Sequence, residues 1–450
     1  MNKNKIIFGI IGALLIALLV FWILSLRSSD DSENLNNSRW DTFNVWIVWD
    51  DRSDFLLFLE NFKEIKPEYK KSVINIETFT NYEEYYFALT SAITKWKAPD
   101  IFVLNNGEKE SVFFEQISGI DPKIINPNDF RKKYKWVFWD DLILSYTDSE
   151  WKEKEFLAWV PVWYETLGVF YNRRYVKSAD LASLPSLNNI IGSLKKRFPN
   201  LVPIWIWNGS TVNGVADIIT QFFMLESWVD KLLDVTGTKL KQSLATYLLF
   251  GDDDWENAYN SRFVELKTLG QDNLDLFSKW ETFMVIGYPS LIKTIDKKGF
   301  SKSFLRAEPF PHYFSWDGKT LLNYNYFVIN KSTSNYALAS DLLSFLTTDS
   351  WASAYLDNFP YYLPALLSLE SDKIEEKIDP NYNIVLKNFY NPNFELSSFD
   401  RGIKNIYDRD IIWVLDNSSN YENAFDAFRR IIICKTNKLT SLENLSNTCE

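Results

Sequence analysis

The 450-residue sequence predicts an α/β protein of two lobes, each a central sheet flanked by helices. Three observations lead there. Short apolar runs rich in Val, Ile, Phe and Tyr alternate with segments of helical period through most of the chain. Its folded part, about 410 residues, is too long for one ordinary core and enough for two. A polar, charged connection at Ser145–Lys154 separates a first set of elements from a second.

The chain opens with 21 uncharged residues, Ile6 to Leu26, which at about 1.5 Å per residue span a bilayer core of about 30 Å. Lys3 and Lys5 precede this run, and Asp30, Asp31 and Glu33 follow it. That asymmetry puts the N-terminus, residues 1–5, in the cytoplasm and the rest outside. The run exceeds a usual signal-peptide core and no A-x-A site follows, so an uncleaved signal anchor is expected. Residues 27–39 have the polar composition of a tether.

Phe43 to Val48 alternates as a strand, Ser53 to Ile65 has helical spacing, Val73 to Thr78 is extended, and Asn81 to Lys95 is helical again. Asp100 to Leu104 reads as a buried strand. This order implies an open, mainly parallel sheet whose ligands sit beyond the carboxyl ends of strands, which makes Asp50, Asp51, Asn105 and Asn106 rim candidates. Ordinary turn and cap roles explain the same residues.

Phe156 to Arg174 organises the rest. Two extended runs, Leu157 to Val162 and Leu167 to Tyr171, flank a polar Tyr164-Glu165-Thr166 step, so Glu165 sits at a strand junction, where a buried charge needs a partner or a ligand. Val202 to Trp207 is a further strand. The Asn208-Gly209-Ser210-Thr211 turn then enters a helix from Gly214 to Glu226, whose free amides suit either capping or a hydroxylated or anionic ligand. The acidic Gly251 to Asn257 segment lacks the glycine and terminal glutamate of an EF-hand and reads as a solvated turn. Ala307 to Pro311 and Tyr324 to Asn330 are expected to return the chain to the first lobe, and Phe359 to Pro364 forms a rigid aromatic crossing. The expected division is residues 40–150 with 312–360, and 151–311 with 361–450.

The pattern V-P-x-x-x-E-T-L-x-x-x-Y-N at Val160 to Asn172, after Lys97-Ala98-Pro99-Asp100 and before Phe277 to Pro289, resembles the family 1 extracellular solute-binding proteins of ABC importers. The resemblance spans roughly residues 40–365. It implies a two-lobed, type II periplasmic-binding-protein-like fold that closes on a small solute, most often a carbohydrate. It also implies ABC permease subunits as partners, no cofactor, no metal and no catalysis. Tyr361 and Tyr362 fit the family's third hinge. Asp50, Asn105, Tyr164, Glu165, Tyr288, Tyr361 and Tyr362 are the expected ligand contacts. Two other readings stand beside this one. An anchored carbohydrate-active enzyme would need two flanking carboxylates, and the same fold could serve as a sensor or adhesion module.

A formal charge of −11 without a basic stripe argues against nucleic acid. Cys434 and Cys449, in an exported chain, are expected to form a disulfide. The chain holds 18 Trp and only 15 Gly, although glycine normally makes up about 7% of a protein. Trp96, Trp163, Trp280 and Trp351 stand where the resembled family has glycine, and Trp205, Trp207 and Trp316 lie in turn contexts. Some bacterial lineages read UGA as glycine, and decoding it as tryptophan leaves this signature. Genuine sugar-stacking indoles are the competing account.

Overall fold

The computed structural model describes residues 42–48, 52–106, 113–147, 152–206, 209–227, 237–249, 269–313, 319–359, 361–370, 389, 395–397, 404–417 and 425–430. The apolar run 6–26, the tether, Asp50, Asp51, Trp207, Asn208, the acidic turn, Trp316, Cys434 and Cys449 lie outside these residues.

The first lobe begins with β1 (Phe43–Val48), α1 (Arg52–Ile65), β2 (Ile74–Phe79), α2 (Tyr82–Thr94) and β3 (Ile101–Asn105). In α1, Phe55, Phe58, Leu59 and Phe62 recur at helical spacing and are buried, which fixes the face laid on the sheet. Asn81 caps α2 by accepting from Glu84 N at 2.8 Å. Strands β1, β2 and β3 are parallel, as expected. After β3 come β4 (Ile117–Ser118), α3 (Pro127–Lys133), α4 (Trp136–Leu142) and a hairpin of β5 (Ile143–Thr147) and β6 (Glu153–Leu157), followed by β7 (Trp159–Pro161) and β8 (Trp163–Thr166).

The second lobe is built on β9 (Gly168–Asn172), α5 (Leu184–Arg197), α6 (Val215–Ser227), α7 (Gly237–Leu249), α8 (Asn273–Ser278), β10 (Met284–Gly287), α9 (Leu291–Lys297) and β11 (Leu305–Pro309). Its sheet runs β10-β9-β11, with both neighbours antiparallel to β9. The chain returns through β12 (Lys319–Asn323) and β13 (Asn325–Asn330), then α10 (Tyr336–Leu346) and α11 (Asp349–Asn358). It crosses again at β14 (Leu363–Pro364) and ends, among the described elements, with β15 (Glu395–Ser397) and α12 (Lys404–Asn417).

Strand β13 enters the first sheet antiparallel to β3, giving the order β2-β1-β3-β13-β4, with β7 also paired to β13. The lobe boundaries therefore differ from those read in the sequence. Because β6 turns back on β5 and β7 joins the first sheet, the first crossing falls at Val162, not at residues 150–151. Because Leu305–Pro309 pairs with β9, that segment stays in the second lobe, and the return crossing falls at Tyr324, not at 312. Tyr164-Glu165-Thr166, the polar step between two extended runs, is itself strand β8, held between β12 and β14.

Helix α12 packs on α6, where Thr220 Oγ1 and Tyr407 OH lie 2.7 Å apart, and it also touches α2 of the first lobe. Gly209 makes the approach of α12 possible, since a Cβ there would lie 2.5 Å from Ile412 O.

Three described helices end in one motif. After α9, Gly299 has φ +81°, with Gly299 N on Asp296 O and Phe300 N on Ile295 O. After α2, Trp96 has φ 56°, with Trp96 N on Ile93 O and Lys97 N on Ala92 O. After α8, Trp280 has φ 64°, with Trp280 N on Phe277 O and Glu281 N on Leu276 O. This pair of bonds places the residue after the cap in the left-handed region, where glycine is usual. Among the described residues Trp96 and Trp280 are the only non-glycines there. Trp163 and Trp351 differ, being packed in β8 and α11 at 5% and 4% exposure.

Candidate functional site

Three crossings lie side by side between the lobes: β7–β8, β12–β13 and β14. β8 pairs with β12 through Leu322↔Thr166 and Asn323↔Glu165, and with β14 through Leu363↔Tyr164. Alternation along β8 sends Tyr164 and Glu165 to opposite faces.

Tyr164 is buried, its ring edge-on to Phe138 at 5.9 Å and under Lys135 Nζ at 5.3 Å. Lys135 is paired with Glu370 at 2.5 Å. Burial, and next to it the Glu370 charge, hold the Tyr164 hydroxyl well above its usual range. Tyr164 is thus part of the packed hinge. Tyr362, half-buried in the third crossing, lies flat on Trp163 with ring centroids 4.0 Å apart. Tyr361 beside it is half-buried too.

Glu165 is 3% exposed. Its Oε1 accepts from Ser290 N at 2.7 Å, at the entrance to α9, so one carboxylate ties the hinge strand to the β10–α9 loop that carries the half-buried Tyr288. Burial pushes its pKa from 4.5 to about 7; the Ser290 hydrogen bonds pull it down and the Asp217 carboxylate pushes it up. A buried carboxylate held by so little is costly to a fold.

Asn105, at the end of β3, gives its amide nitrogen to Asn323 Oδ1 at 2.9 Å, Asn325 Oδ1 at 3.2 Å and Tyr324 O at 3.3 Å. Asn106 donates to Leu322 O at 2.8 Å and accepts from Tyr324 N at 3.2 Å. Tyr324 OH donates to Asp141 Oδ2 at 2.6 Å, and Tyr82 OH bonds Asn325 Oδ1. Two adjacent asparagines thus clamp the return crossing where it changes lobes. The structure links Asn105, through Asn323, to Glu165 and on to the loop of Tyr288, and sets Tyr164 on the same strand as Glu165 but on its other face, with Tyr361 and Tyr362 in the turn just before β14. Asn105 reaches the site through the hinge, its amide nitrogen being engaged there.

Asp217, Asn323 and Ser290 were missed in the sequence. Asp217 stands in the first turn of α6, where an acid is ordinary helix chemistry. Asn323 and Ser290 become visible only when β12 and α9 are brought beside β8.

The sequence family described as bacterial extracellular solute-binding protein matches residues 60–380. The chain belongs to that family. Its members are binding proteins, not enzymes, which removes the carboxylate-enzyme reading. Among solved structures, the solute-binding protein is similar to an ABC substrate-binding protein of Listeria monocytogenes in complex with cycloalternan, with TM-score 0.64, 13% identity, 88% of this chain and 99% of that one. It is also similar to the sugar-binding protein MalE of Xanthomonas citri, with TM-score 0.60, 13% identity, 88% and 98% coverage. A third is the maltodextrin-binding protein MalE1 of L. casei, with TM-score 0.58, 16% identity, 90% and 99% coverage. These likenesses establish the two-lobed fold of the solute-binding protein. No curated protein matches its sequence.

Proposed function

We propose that this solute-binding protein is the extracytoplasmic receptor of an ABC importer, taking a carbohydrate between its lobes and handing it to permease subunits. The observation that carries the reading is Glu165, a buried carboxylate on a strand that passes between the lobes, with pKa raised to about 7. Fixed carboxylates and amides orient hydroxyl-rich solutes, and aromatic faces cover their C–H surfaces; Tyr288, two residues before the Ser290 that bonds Glu165, and Tyr361 and Tyr362, just before the strand paired with β8, are the candidates for such faces. The Listeria neighbour holds cycloalternan and the Xanthomonas one is a sugar-binding protein, which favours a saccharide. Closure on it shifts an open–closed balance.

Calorimetric titration with neutral sugars, amino sugars, amino acids and polyamines tests this. Glu165→Ala or Tyr362→Ala is expected to weaken binding by about 2 kcal/mol, the scale of a central contact, or about thirtyfold. Variants that bind as the wild type does would remove these residues from the site.

The apolar run at residues 6–26 is proposed to hold the receptor in the membrane. It should stay with the membrane fraction through a high-salt wash, which strips proteins bound by surface charge but not a spanning helix. Recovery of a soluble form beginning near Ser28 would refute it.

A further inference from the structure

The end of the first sheet away from the crossings carries a cavity of about 680 Å³. It opens around Asp100, which precedes β3, and Asn330, which closes β13, whereas Asn105 and Asn325 pair at the other end of the same two strands. Five strand residues at about 3.3 Å each put the cavity about 17 Å from the Asn105 clamp, outside the site between the lobes. Its floor is built from buried polar groups. Asp100, 9% exposed, accepts from Asn44 N at 2.8 Å, from Thr333 Oγ1, and from Asn335 Nδ2 at 3.4 Å. Asn330 is buried too; it donates to Pro99 O at 2.9 Å and accepts from Ser332 N at 3.0 Å. These bonds fix the loop 330–335 against the start of β3.

The walls are polar and uncharged. Thr42, Thr90, Gln116, Ser332 and Ser334 line the space with hydroxyls and an amide, and among the described residues nothing else engages these side chains. Ile93 and Ala98 add a small apolar surface, and Trp96 stands on the rim. Among the described residues Asp100 is the one charged side chain in the lining. An anion would therefore meet a carboxylate and no cation, and an amine would meet a carboxylate already holding three donors. An apolar ligand would cover hydroxyls without pairing them. A neutral, hydroxyl-rich molecule suits donors and acceptors of this kind, and the volume lies in the range of small-molecule sites, about 300–1,000 Å³.

We infer that the first lobe has a second, distal site for a neutral saccharide, separate from the one proposed between the lobes. Position 96 is not needed for it: with glycine there the opening widens, while floor and walls stay as they are. Such a sugar comes either free in solution or as the headgroup of a membrane lipid, and the test separates the two.

The test uses the full-length chain labelled with 5-fluorotryptophan and kept in a detergent that contains no sugar, with Trp96 identified as the fluorine resonance missing from Trp96→Gly. Maltotriose and lactose stand for free saccharides, glucosylglycerol and galactosylglycerol for lipid headgroups. At least one of them is expected to shift the Trp96 resonance saturably, in the wild type and equally in Glu165→Ala, and the responding pair names the source. Gln116→Ala is expected to weaken that response about fivefold, the scale of one hydrogen bond, and Thr90→Phe, which fills the cavity from α2, to abolish it. No shift with any of the four sugars would overturn the inference. So would a shift that both variants leave intact, which is what bare stacking on an exposed indole gives. A shift lost in Glu165→Ala would trace the signal to the site between the lobes, overturning the distal site and leaving the receptor reading standing.

Discussion

Glu165→Gln is expected to stabilise the unliganded protein by about 3 kcal/mol at pH 8 and by almost nothing at pH 4, while it weakens solute binding. The carboxyl has a pKa of about 7 in the fold against 4.5 ordinarily, so the folded state holds its proton over a range where the unfolded chain has released it. Its favourable contribution is complete below pH 4.5 and lost as pH rises through 7. That displacement corresponds to about 3 kcal/mol. Glutamine keeps an oxygen for Ser290 N and has no charge to desolvate. His312 acts in the opposite direction. Burial lowers it from 6.5 to about 4, with Nε2 3.0 Å from Thr320 Oγ1, so its contribution is present above pH 6.5 and lost as pH falls through 4. In the wild type the two slopes oppose each other in weak acid; in Glu165→Gln the histidine slope stands uncovered. Thermal melts of both proteins from pH 4 to 8 read this directly, and parallel curves would show that Glu165 is not held against its charge.

Peptides of the native protein are expected to carry glycine at positions 96 and 280, each lighter by an indole side chain. Both residues take the left-handed conformation of a helix-ending motif that Gly299 completes elsewhere, at a strain of about 1–2 kcal/mol for a side chain. In recombinant protein made with tryptophan, Trp96→Gly should therefore raise stability by about 1 kcal/mol, because Trp96 is 88% exposed and loses no packing. Trp280→Gly relieves the same strain but gives up the ring's contact with Phe304 at 5.3 Å and Arg174 at 5.8 Å, so its net change should be smaller. Tryptophan found at both positions in native peptides would end the proposal. The geometry singles out these two and not Trp163 or Trp351, whose rings pack against Tyr362 and Phe58. Glycine at 163 would leave a space beside Tyr362 in the hinge.

What the sequence made legible follows the range of the interactions. Strands β1 to β3 and helices α1 and α2 were readable because their signals are local: alternation, helical spacing, the Asn81 cap. The polar step at Tyr164-Glu165-Thr166 looked like a break because polarity was weighed without its neighbours; β12 and β14, which make it a strand, come more than 150 residues later. The same distance hid the role of Asn105, whose partners are 218 to 220 residues away. Asp217 was hidden by its ordinariness, since helix starts favour acids for local reasons.

The place of β13 in the first sheet has a consequence for how the protein is made. It is the neighbour of β3, yet Asn325 is paired with Asn105, and the entire sheet of the second lobe is synthesised between them. Until residue 330 has emerged, β3 presents an open edge and the clamp at Asn105 and Asn106 has nothing to close on. The first lobe therefore cannot complete itself early, and folding waits on contacts of very long sequence separation, which makes it slow. For a chain that must pass a membrane before it folds, this delay is useful. It keeps the polypeptide threadable until nearly three-quarters of it is across, and then lets one late strand complete the first sheet against β3, β4 and β7 in a single event.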